Sequence, residues 1–349
     1  MDDLSLIQSG NMTVESNVSL KPYNTFGIDV KANFFIEFTS QEELSELLSK
    51  REFKNIPMLI LGGGSNILFT GDFEGVVLKN NISGIAVVGE DDDSWKVKAG
   101  AGTNWHSLVL WCIEKGFAGI ENLSLIPGNV GAAPIQNIGA YGVEMKDSFY
   151  ELEAVKIENG ELLKFNNDQC RFGYRDSIFK QEYKGKVVIT SVTLSLKKQS
   201  DFHVTYGAIE QELKKMGVAD LSIKAISDAV CNIRRSKLPD PMKIGNAGSF
   251  FKNPEVTASV YNSLKASHPE VVAYLLPNGN YKLAAGWLIE QCEWKGKVVG
   301  NTGSHKDQAL VLVNYGNATG SEIWNLAMAI QESVKSRFGV VIEPEVNVM

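Results

Sequence analysis

The chain has 349 residues, 44% of them hydrophobic, which is enough to fill the cores of two or three domains. Its formal net charge of −7, with no basic run, argues against a protein that binds nucleic acid or a membrane surface. Four scattered cysteines without a C-x-x-C pair, and only four histidines, argue against a metal site. The start, MDDLSL, lacks the basic residues and apolar core of a signal peptide, so we expect a cytoplasmic protein with reduced thiols.

The first part of the chain predicts strands and one helix ahead of a glycine loop. Alternating residues over 32–38 predict a strand, and Ser40 with Glu43 forms a capping box for a helix over 40–50. An apolar strand over 58–61 leads directly into GGGSN at 62–66, and a further strand is predicted over 67–70.

The GGGSN loop can bring backbone close to a phosphate and turn several amides toward it. It is not a dinucleotide fingerprint of the Rossmann type, because Ile67 stands where the last glycine would be. It is not a Walker loop, because no lysine and hydroxyl pair follows. A purely structural turn explains a glycine triplet about equally well, and the adjoining Ser65 and Asn66 favour a nucleotide pyrophosphate.

A second loop predicted to bind a ligand follows a more ordinary stretch. Strands are predicted at 76–78 and 95–98 around a solvated acidic turn at 90–93, then a helix from Thr103 to 114 that Gly116 ends. The run SLIPGNVGAAPIQNIGAYG at 124–142 carries no charge and is rich in glycine and proline. It is typical of backbone that lies against a flat, neutral or phosphate-bearing ligand; the alternative is a buried connection between domains.

The remaining chain predicts strands first and helices later. Asn159-Gly160 predicts a hairpin between 150–157 and 161–165, and 187–196 is a further strand. A helix over 222–236 ends before Pro239, and a loop covers 245–254. Helices follow at 256–266 and 284–292. The last helix begins at a box of Thr319 and Glu322 and has one apolar face, made of Ile323, Leu326, Ile330, Val334 and Phe338.

Several strings together resemble one family, the UDP-N-acetylenolpyruvoylglucosamine reductases of bacterial peptidoglycan synthesis. In chain order they are NTFG (24–27), GGGSN (62–66), IPG (126–128), PIQNIGAYG (134–142), FGYRDS (172–177), KLPDP (237–241), GNAGSFFKNP (245–254), LAAGWLIE (283–290) and EPEV (343–346). They follow the family order over almost the whole chain, and TYG at 205–207 resembles the tyrosine loop of the longer, type I branch. The chain stops at Met349, where relatives often continue, which leaves the pairing of the last strand open.

The resemblance implies an α+β, three-domain FAD-binding flavoprotein of the vanillyl-alcohol-oxidase-like (PCMH-type) class with a C-terminal substrate-binding domain. The implied boundaries are 1–83 for the first FAD-binding subdomain, to which 340–349 return, 84–235 for the second, and 236–339 for the substrate-binding domain. The implied reaction transfers hydride from NADPH through FAD to an enolpyruvyl ether and yields UDP-N-acetylmuramate. No histidine or cysteine lies in the flavin-holding motifs, so we expect non-covalent FAD. We also expect small-molecule partners only (the UDP-sugar and NADPH) and a monomer, although no sequence feature fixes the oligomeric state.

The resemblance also implies roles for individual residues. Arg175 grips the substrate carboxylate, Glu345 is the catalytic glutamate, and Ser249 donates a proton to the carbanion that hydride transfer leaves. Read alone, each has a plainer explanation: an ion pair with Asp176, a solvated acid, and a turn serine. The residues predicted to bind FAD are Gly62, Gly63, Gly64, Ser65, Asn66, Ile126, Pro127, Gly128, Gly131, Ala132, Pro134, Gln136, Asn137, Gly139, Tyr141 and Gly142. Those predicted to hold the UDP group are Tyr206, Lys237, Asn253 and Gln308, with Arg234 and Arg235 as further candidates for phosphate or NADPH.

Two other functions remain compatible with the sequence. One is a flavin oxidase of the same fold that acts on an alcohol or a lactone. The other is a nucleotide-sugar binding protein without chemistry. Flavin absorbance distinguishes the nucleotide-sugar binding protein, which would have none, from both the reductase and the oxidase.

Overall fold

The computed structural model describes residues 12–50 and 56–349, and these divide into two compact units. The first unit contains residues up to 18, then 32–63 and 74–234, and the second contains 19–31, 64–73 and 235–349. The expected absence of a signal peptide concerns residues 1–11, which lie outside the described residues.

The strands and helices alternate in irregular groups, as expected for an α+β protein. The strands are β1 (Val14–Ser19), β2 (Lys31–Phe38), β3 (Met58–Leu61), β4 (Ile67–Leu68), β5 (Phe73–Asn80), β6 (Ile85–Glu90), β7 (Ser94–Gly100), β8 (Gly139–Ala140), β9 (Val143–Glu144), β10 (Phe149–Lys156), β11 (Leu162–Asn166), β12 (Val187–Lys197), β13 (Gly245–Ser249), β14 (Glu255–Val256), β15 (Ala273–Leu275), β16 (Tyr281–Leu283), β17 (Val298–Val299), β18 (Thr302–Ser304), β19 (Val311–Asn314) and β20 (Asn347–Val348). The helices are α1 (Gln41–Ser49), α2 (Trp105–Glu114), α3 (Asn167–Cys170), α4 (Gly207–Lys215), α5 (Ile223–Lys237), α6 (Ala258–Ser267), α7 (Ala285–Gln291) and α8 (Gly320–Phe338).

The first unit is built on two sheets. One has the strand order β1-β2-β5-β3, with β3 and β5 parallel, and α1 buries Leu44, Leu47 and Leu48 against it. The other is antiparallel, in the order β11-β10-β12-β7-β6, and shares an extensive hydrophobic core with α2. Helices α4 and α5 pack together through a smaller cluster that includes Ile209 and Val230.

The second unit has a four-stranded sheet, β13-β19-β18-β17, and a small sheet, β14-β16-β15. The five apolar residues predicted for one face of α8 are all buried. The pairing of the last strand, left open by the sequence, is parallel to β4, with Asn347 opposite Ile67 and Val348 opposite Leu68.

Most predicted elements are confirmed, and four details are wrong. The cap of α2 is Asn104 and not Thr103, because the Asn104 side chain accepts from the Ser107 amide. The strand over 67–70 is only two residues long, since its partner β20 is equally short. The predicted loop at 245–254 begins with strand β13, which the apolar strand β19 pairs. At α1, Ser40 caps Glu43 as predicted, but the Glu43 carboxylate accepts from Thr39 and not from Ser40.

Some elements were not predicted at all. They are β1, β6, β8, β9, α3, α4 and the strands β14 to β19, most of which are short segments with weak periodicity. Within the described part of the chain, no helix is long and apolar enough to cross a membrane.

Candidate functional site

The two glycine loops predicted to bind a ligand touch each other at Gly63, which belongs to the first unit like the whole of the second loop. A Cβ added at Gly63 would lie 2.9 Å from the Gly128 Cα and 3.0 Å from the Asn129 Oδ1. Since real Cβ atoms essentially never come that close to backbone, only glycine fits at position 63. Two segments far apart in sequence therefore form one continuous backbone surface.

The loops differ in how they use their backbone amides. The amides of Gly63, Gly64 and Ser65 donate no hydrogen bond to any residue that the structure describes. In the second loop, by contrast, the amides of residues 130–133 donate to the carbonyls of Thr103, Ala101, Asn129 and Val130, respectively. Amides that donate to no described residue are thus found at GGGSN, whereas the amides of residues 130–133 are already used within the protein.

Gly64 has a structural reason to be glycine. Its φ is +62°, and an added Cβ would lie 1.9 Å from the Tyr23 carbonyl oxygen. The Thr25 amide donates to the Gly64 carbonyl, and the buried Asn24 side chain braces the same turn by donating to Leu20 and Ile28. The NTFG string is therefore the packing partner of this glycine within the second unit.

Arg175 lies against the long loop at 124–142 and holds its backbone. Its φ is +53°, which is uncommon for a residue other than glycine. Its Nη2 donates to the Gly139 carbonyl at 2.5 Å and its Nη1 to the Asn137 carbonyl at 3.4 Å. The Asp176 carboxylate, the partner in the plainer explanation, accepts instead from the Gln181 amide group.

Asn137 also has a structural role in this loop. It is fully buried, donates to Glu144 and to the Gly173 carbonyl, and accepts from the Lys146 amide. These bonds satisfy its side-chain amide within the protein. The Asn137 side chain is therefore not available to FAD, and the predicted contact can involve only the Asn137 backbone.

Tyr141 and Arg234 form a hydrogen-bonded pair near Leu125, at the start of the long loop. The Arg234 Nε donates to the Leu125 carbonyl at 3.2 Å, where Leu125 has a φ of +59°. Burial raises the pKa of Tyr141, and the neighbouring Arg234, which hydrogen-bonds it, opposes that shift. Burial likewise lowers the pKa of Arg234. Arg234 thus contacts the loop at 124–142 and is partly buried, whereas Arg235 is exposed.

Tyr206 lies beside the pair of Tyr141 and Arg234. Its ring meets that of Tyr141 edge-on at 5.8 Å between centroids, and it remains 54% exposed. An exposed aromatic side chain anchored by a half-buried one is available to a ligand.

Ser249 and Glu345 are brought together in the second unit. The Glu345 amide donates to the Phe250 carbonyl at 2.7 Å, and Phe251 forms a bridge with Pro344. Phe250 and Phe251 are buried, which fixes the backbone on which Ser249 sits half-buried. Gly248, with a φ of +72°, supplies the bulge that sets Ser249 opposite Val311.

Asn66 joins the glycine loop to the same place. Its side chain donates to the Glu345 carbonyl at 3.3 Å, and its own carbonyl accepts from the Asn347 amide at 3.2 Å. The last residue of GGGSN therefore positions the backbone of the candidate catalytic glutamate.

Lys237 and Gln308 line one cavity of about 340 Å³ in the second unit. Its wall also contains Gly286, against which the Gln308 side chain lies, and an ion pair of Lys295 with Glu290 at 2.9 Å. Asn253 lies at the amino end of α7, next to Gly286 of the cavity wall, where its Oδ1 accepts from the Ala285 amide. Three of the four residues predicted for the UDP group are thus neighbours, and Tyr206 belongs to the other unit.

Two residues that matter at these loops were not predicted. Lys79 donates to the Gly62 carbonyl at 2.8 Å, and Asn129 packs against Gly63. A lysine inside the apolar strand FEGVVLKN is the one signal for Lys79 that the sequence offers. Within the described residues, no group of His, Cys, Asp and Glu side chains is arranged to hold a metal ion.

Comparison with known proteins gives consistent matches along the chain. Residues 240–349 match the profile of the UDP-N-acetylenolpyruvoylglucosamine reductase C-terminal domain, and residues 32–166 match that of an FAD binding domain. The chain is 52% identical to the UDP-N-acetylenolpyruvoylglucosamine reductase of Amoebophilus asiaticus, over 97% of this chain and 100% of the relative. It is 50% identical to that of Pseudomonas putida, over 96% and 99%. The fold resembles that of a UDP-N-acetylenolpyruvylglucosamine reductase from Thermus caldophilus, with a TM-score of 0.68 and 24% identity over 97% of this chain and 99% of the other.

Proposed function

The chain belongs to the family of UDP-N-acetylenolpyruvoylglucosamine reductases, and from this membership we propose that it reduces UDP-N-acetylglucosamine enolpyruvate to UDP-N-acetylmuramate at the expense of NADPH. It is an FAD-dependent oxidoreductase of peptidoglycan precursor synthesis, and the predicted fold class is confirmed. The three-domain boundaries at 83, 235 and 339 belong to the proposal. β20 pairs with β4, which lies within residues 1–83, and both strands belong to the second unit.

The residues present fit FAD. The successive unused amides of Gly63, Gly64 and Ser65 suit a diphosphate, and the uncharged backbone of the loop at 124–142 suits a flat ring system. When bound, FAD supplies the hydride that it has taken from NADPH. We propose that the FAD-binding residues are those of the two loops, with Asn137 acting through its backbone.

Proton transfer is the task of the second unit. Hydride arriving at the methylene carbon leaves negative charge on the adjoining carbon and carboxylate of the substrate, which must be stabilised and protonated. Ser249 donates that proton from its hydroxyl, which a carbanion is basic enough to accept. The single observation that carries this assignment is the backbone pairing that brings Glu345 beside Ser249 from the far end of the chain.

Arg175 supplies the positive charge. A guanidinium has five N–H donors, so one arginine can hold the loop carbonyls and a substrate carboxylate together. The carbonyls of Asn137 and Gly139 fix the direction of the Arg175 guanidinium. The guanidinium is therefore oriented before the substrate arrives. Lys237, Gln308, Asn253 and Tyr206 hold the UDP group in this proposal.

The test separates the two half-reactions by rapid mixing. Ser249→Ala should keep its FAD and its rapid reduction by NADPH, because that step needs no serine proton. Its reoxidation by the enolpyruvyl substrate should slow by about 10²–10⁴-fold, the usual effect of removing a general acid. Ser267→Ala, an exposed serine on α6, is the matched control and should leave both steps unchanged. A normal second half-reaction in Ser249→Ala would refute the assignment.

A further inference from the structure

Lys79 occupies a place where a lysine is costly. It lies on β5, where Val76, Val77, Leu78 and Asn80 are all buried, in parallel register with Leu61 of β3. Burial lowers the pKa of Lys79, while Glu37 on the neighbouring strand β2 raises it. A half-buried ammonium is kept only where a hydrogen bond compensates for lost water, and here its Nζ donates to the Gly62 carbonyl at 2.8 Å.

That bond determines the direction of the next amide. In a trans peptide the C=O and the following N–H lie in one rigid plane and point in opposite directions. Fixing the Gly62 carbonyl therefore turns the Gly63 N–H away from the sheet. Glycines on both sides of this peptide would otherwise let it rotate easily.

The Gly63 amide is the first of the three that donate no bond within the described residues. Asn129 and Gly128 pack against this same residue and limit its movement from the other side. Thus one end of the peptide is held by the lysine, and the other presents an N–H with no acceptor among the described protein groups.

We propose that Lys79 is a positioning residue for the diphosphate of the bound dinucleotide: it orients the Gly62–Gly63 peptide so that the Gly63 N–H meets the anion. This inference rests on the proposed function, since it requires that the loop bind FAD. The positive charge of Lys79, placed behind the amide in a chain of net charge −7, adds an attraction for the diphosphate.

The experiment compares three variants of the holoprotein. Dilution releases FAD, whose fluorescence then gives the dissociation constant. Lys79→Met, which matches lysine in shape but donates nothing, should weaken FAD binding about tenfold, as for the loss of a charge-assisted bond. Lys79→Arg should stay within about threefold of the wild type, because arginine still donates to the carbonyl. Lys98→Met is the control: Lys98 pairs with Glu153 on the other sheet of the same unit, and FAD binding should not change.

The order of the variants decides between positioning and packing. If Lys79 only filled space, methionine would replace it well and the bulkier arginine would lose FAD, the reverse of our expectation. That reversed order, or Lys79→Met with wild-type affinity, would overturn the inference. Should Lys79→Met fail to fold, Lys79→Leu, which also donates no hydrogen bond, carries the same comparison. Failure of the proposed function looks different: the wild type would bind no FAD, or Gly63→Val would bind it as well as the wild type.

Discussion

Lys237 is the cation that we propose for binding the diphosphate, in a protein that is acidic overall. A diphosphate approaching a chain of net charge −7 needs a local cation, and Lys237 stands exposed on the wall of the cavity that it shares with Gln308. Replacing it with alanine should weaken binding of the sugar nucleotide about tenfold to hundredfold, the usual range for a charge-assisted hydrogen bond. Reduction by NADPH should change little, because that step does not involve the sugar nucleotide.

Calorimetric titration with UDP-N-acetylglucosamine, next to stopped-flow reduction by NADPH, measures the two effects separately. Lys243→Ala, an exposed lysine a few residues away, controls for the general loss of positive charge. Equal affinity in Lys237→Ala and the wild type would remove Lys237 from the binding site.

The glycines show how far residue patterns could be interpreted. The sequence predicts close backbone approach at 62–66, and the approach is confirmed at Gly63 and Gly64. It does not say what approaches: at Gly64 the neighbour is the Tyr23 carbonyl, and at Gly320, 1.6 Å from an added Cβ, it is the Phe69 carbonyl. Because a glycine required by packing and one required by a ligand look alike in sequence, only the unused amides of residues 63–65 distinguish them here.

At the scale of elements, α8 shows local sequence information at its most reliable. The predicted box is complete: Thr319 accepts from the Glu322 amide, and the Glu322 carboxylate accepts from the Thr319 amide and hydroxyl. These bonds lower the pKa of Glu322 from its ordinary value of 4.5. A carboxylate with a depressed pKa stabilises the fold above its unfolded pKa, and that stabilisation is lost as the pH falls through the folded pKa.

Glu322→Gln should therefore lower the urea midpoint at neutral pH, and the difference from the wild type should shrink as the pH falls below about 4.5. Equilibrium unfolding in urea over a series of pH values gives both quantities. Glu332→Gln, which replaces an exposed carboxylate of the same helix far from its amino end, is the matched control for the change of carboxylate to amide. A difference from the wild type that stays constant with pH would contradict the role of the carboxylate.

The sequence pattern did not predict which distant segments pair with each other. The helices α5, α6, α7 and α8 were placed within a few residues because caps, prolines and apolar periodicity are local signals. The bond between Glu345 and Phe250 joins segments almost a hundred residues apart, and no periodicity in either segment indicates it. The resemblance to a family, and not the pattern of residues, placed Ser249 and Glu345 in one site.

For the whole molecule, the four cysteines bear on how the flavin is held. Cys112, Cys170 and Cys231 are buried and Cys292 is partly so. Burial raises the pKa of both Cys112 and Cys170 to about 12, so these thiols are not thiolates near neutral pH. A covalent bond from sulfur to a flavin requires a nucleophilic thiolate, which these two residues do not offer.

The histidines give no better attachment point in the motifs. His106 lies beside the long loop, and its Nδ1 accepts from the Leu125 amide, so it already serves to hold the loop. FAD should therefore be bound without a covalent link. Acid precipitation of the yellow holoprotein should leave all flavin absorbance in the supernatant and none in the washed pellet. Free FAD mixed with the same protein after denaturation controls for trapping in the pellet. Flavin that stays with the washed pellet beyond this control would show a covalent bond and would require one of the cysteines or histidines to be nucleophilic in the holoprotein.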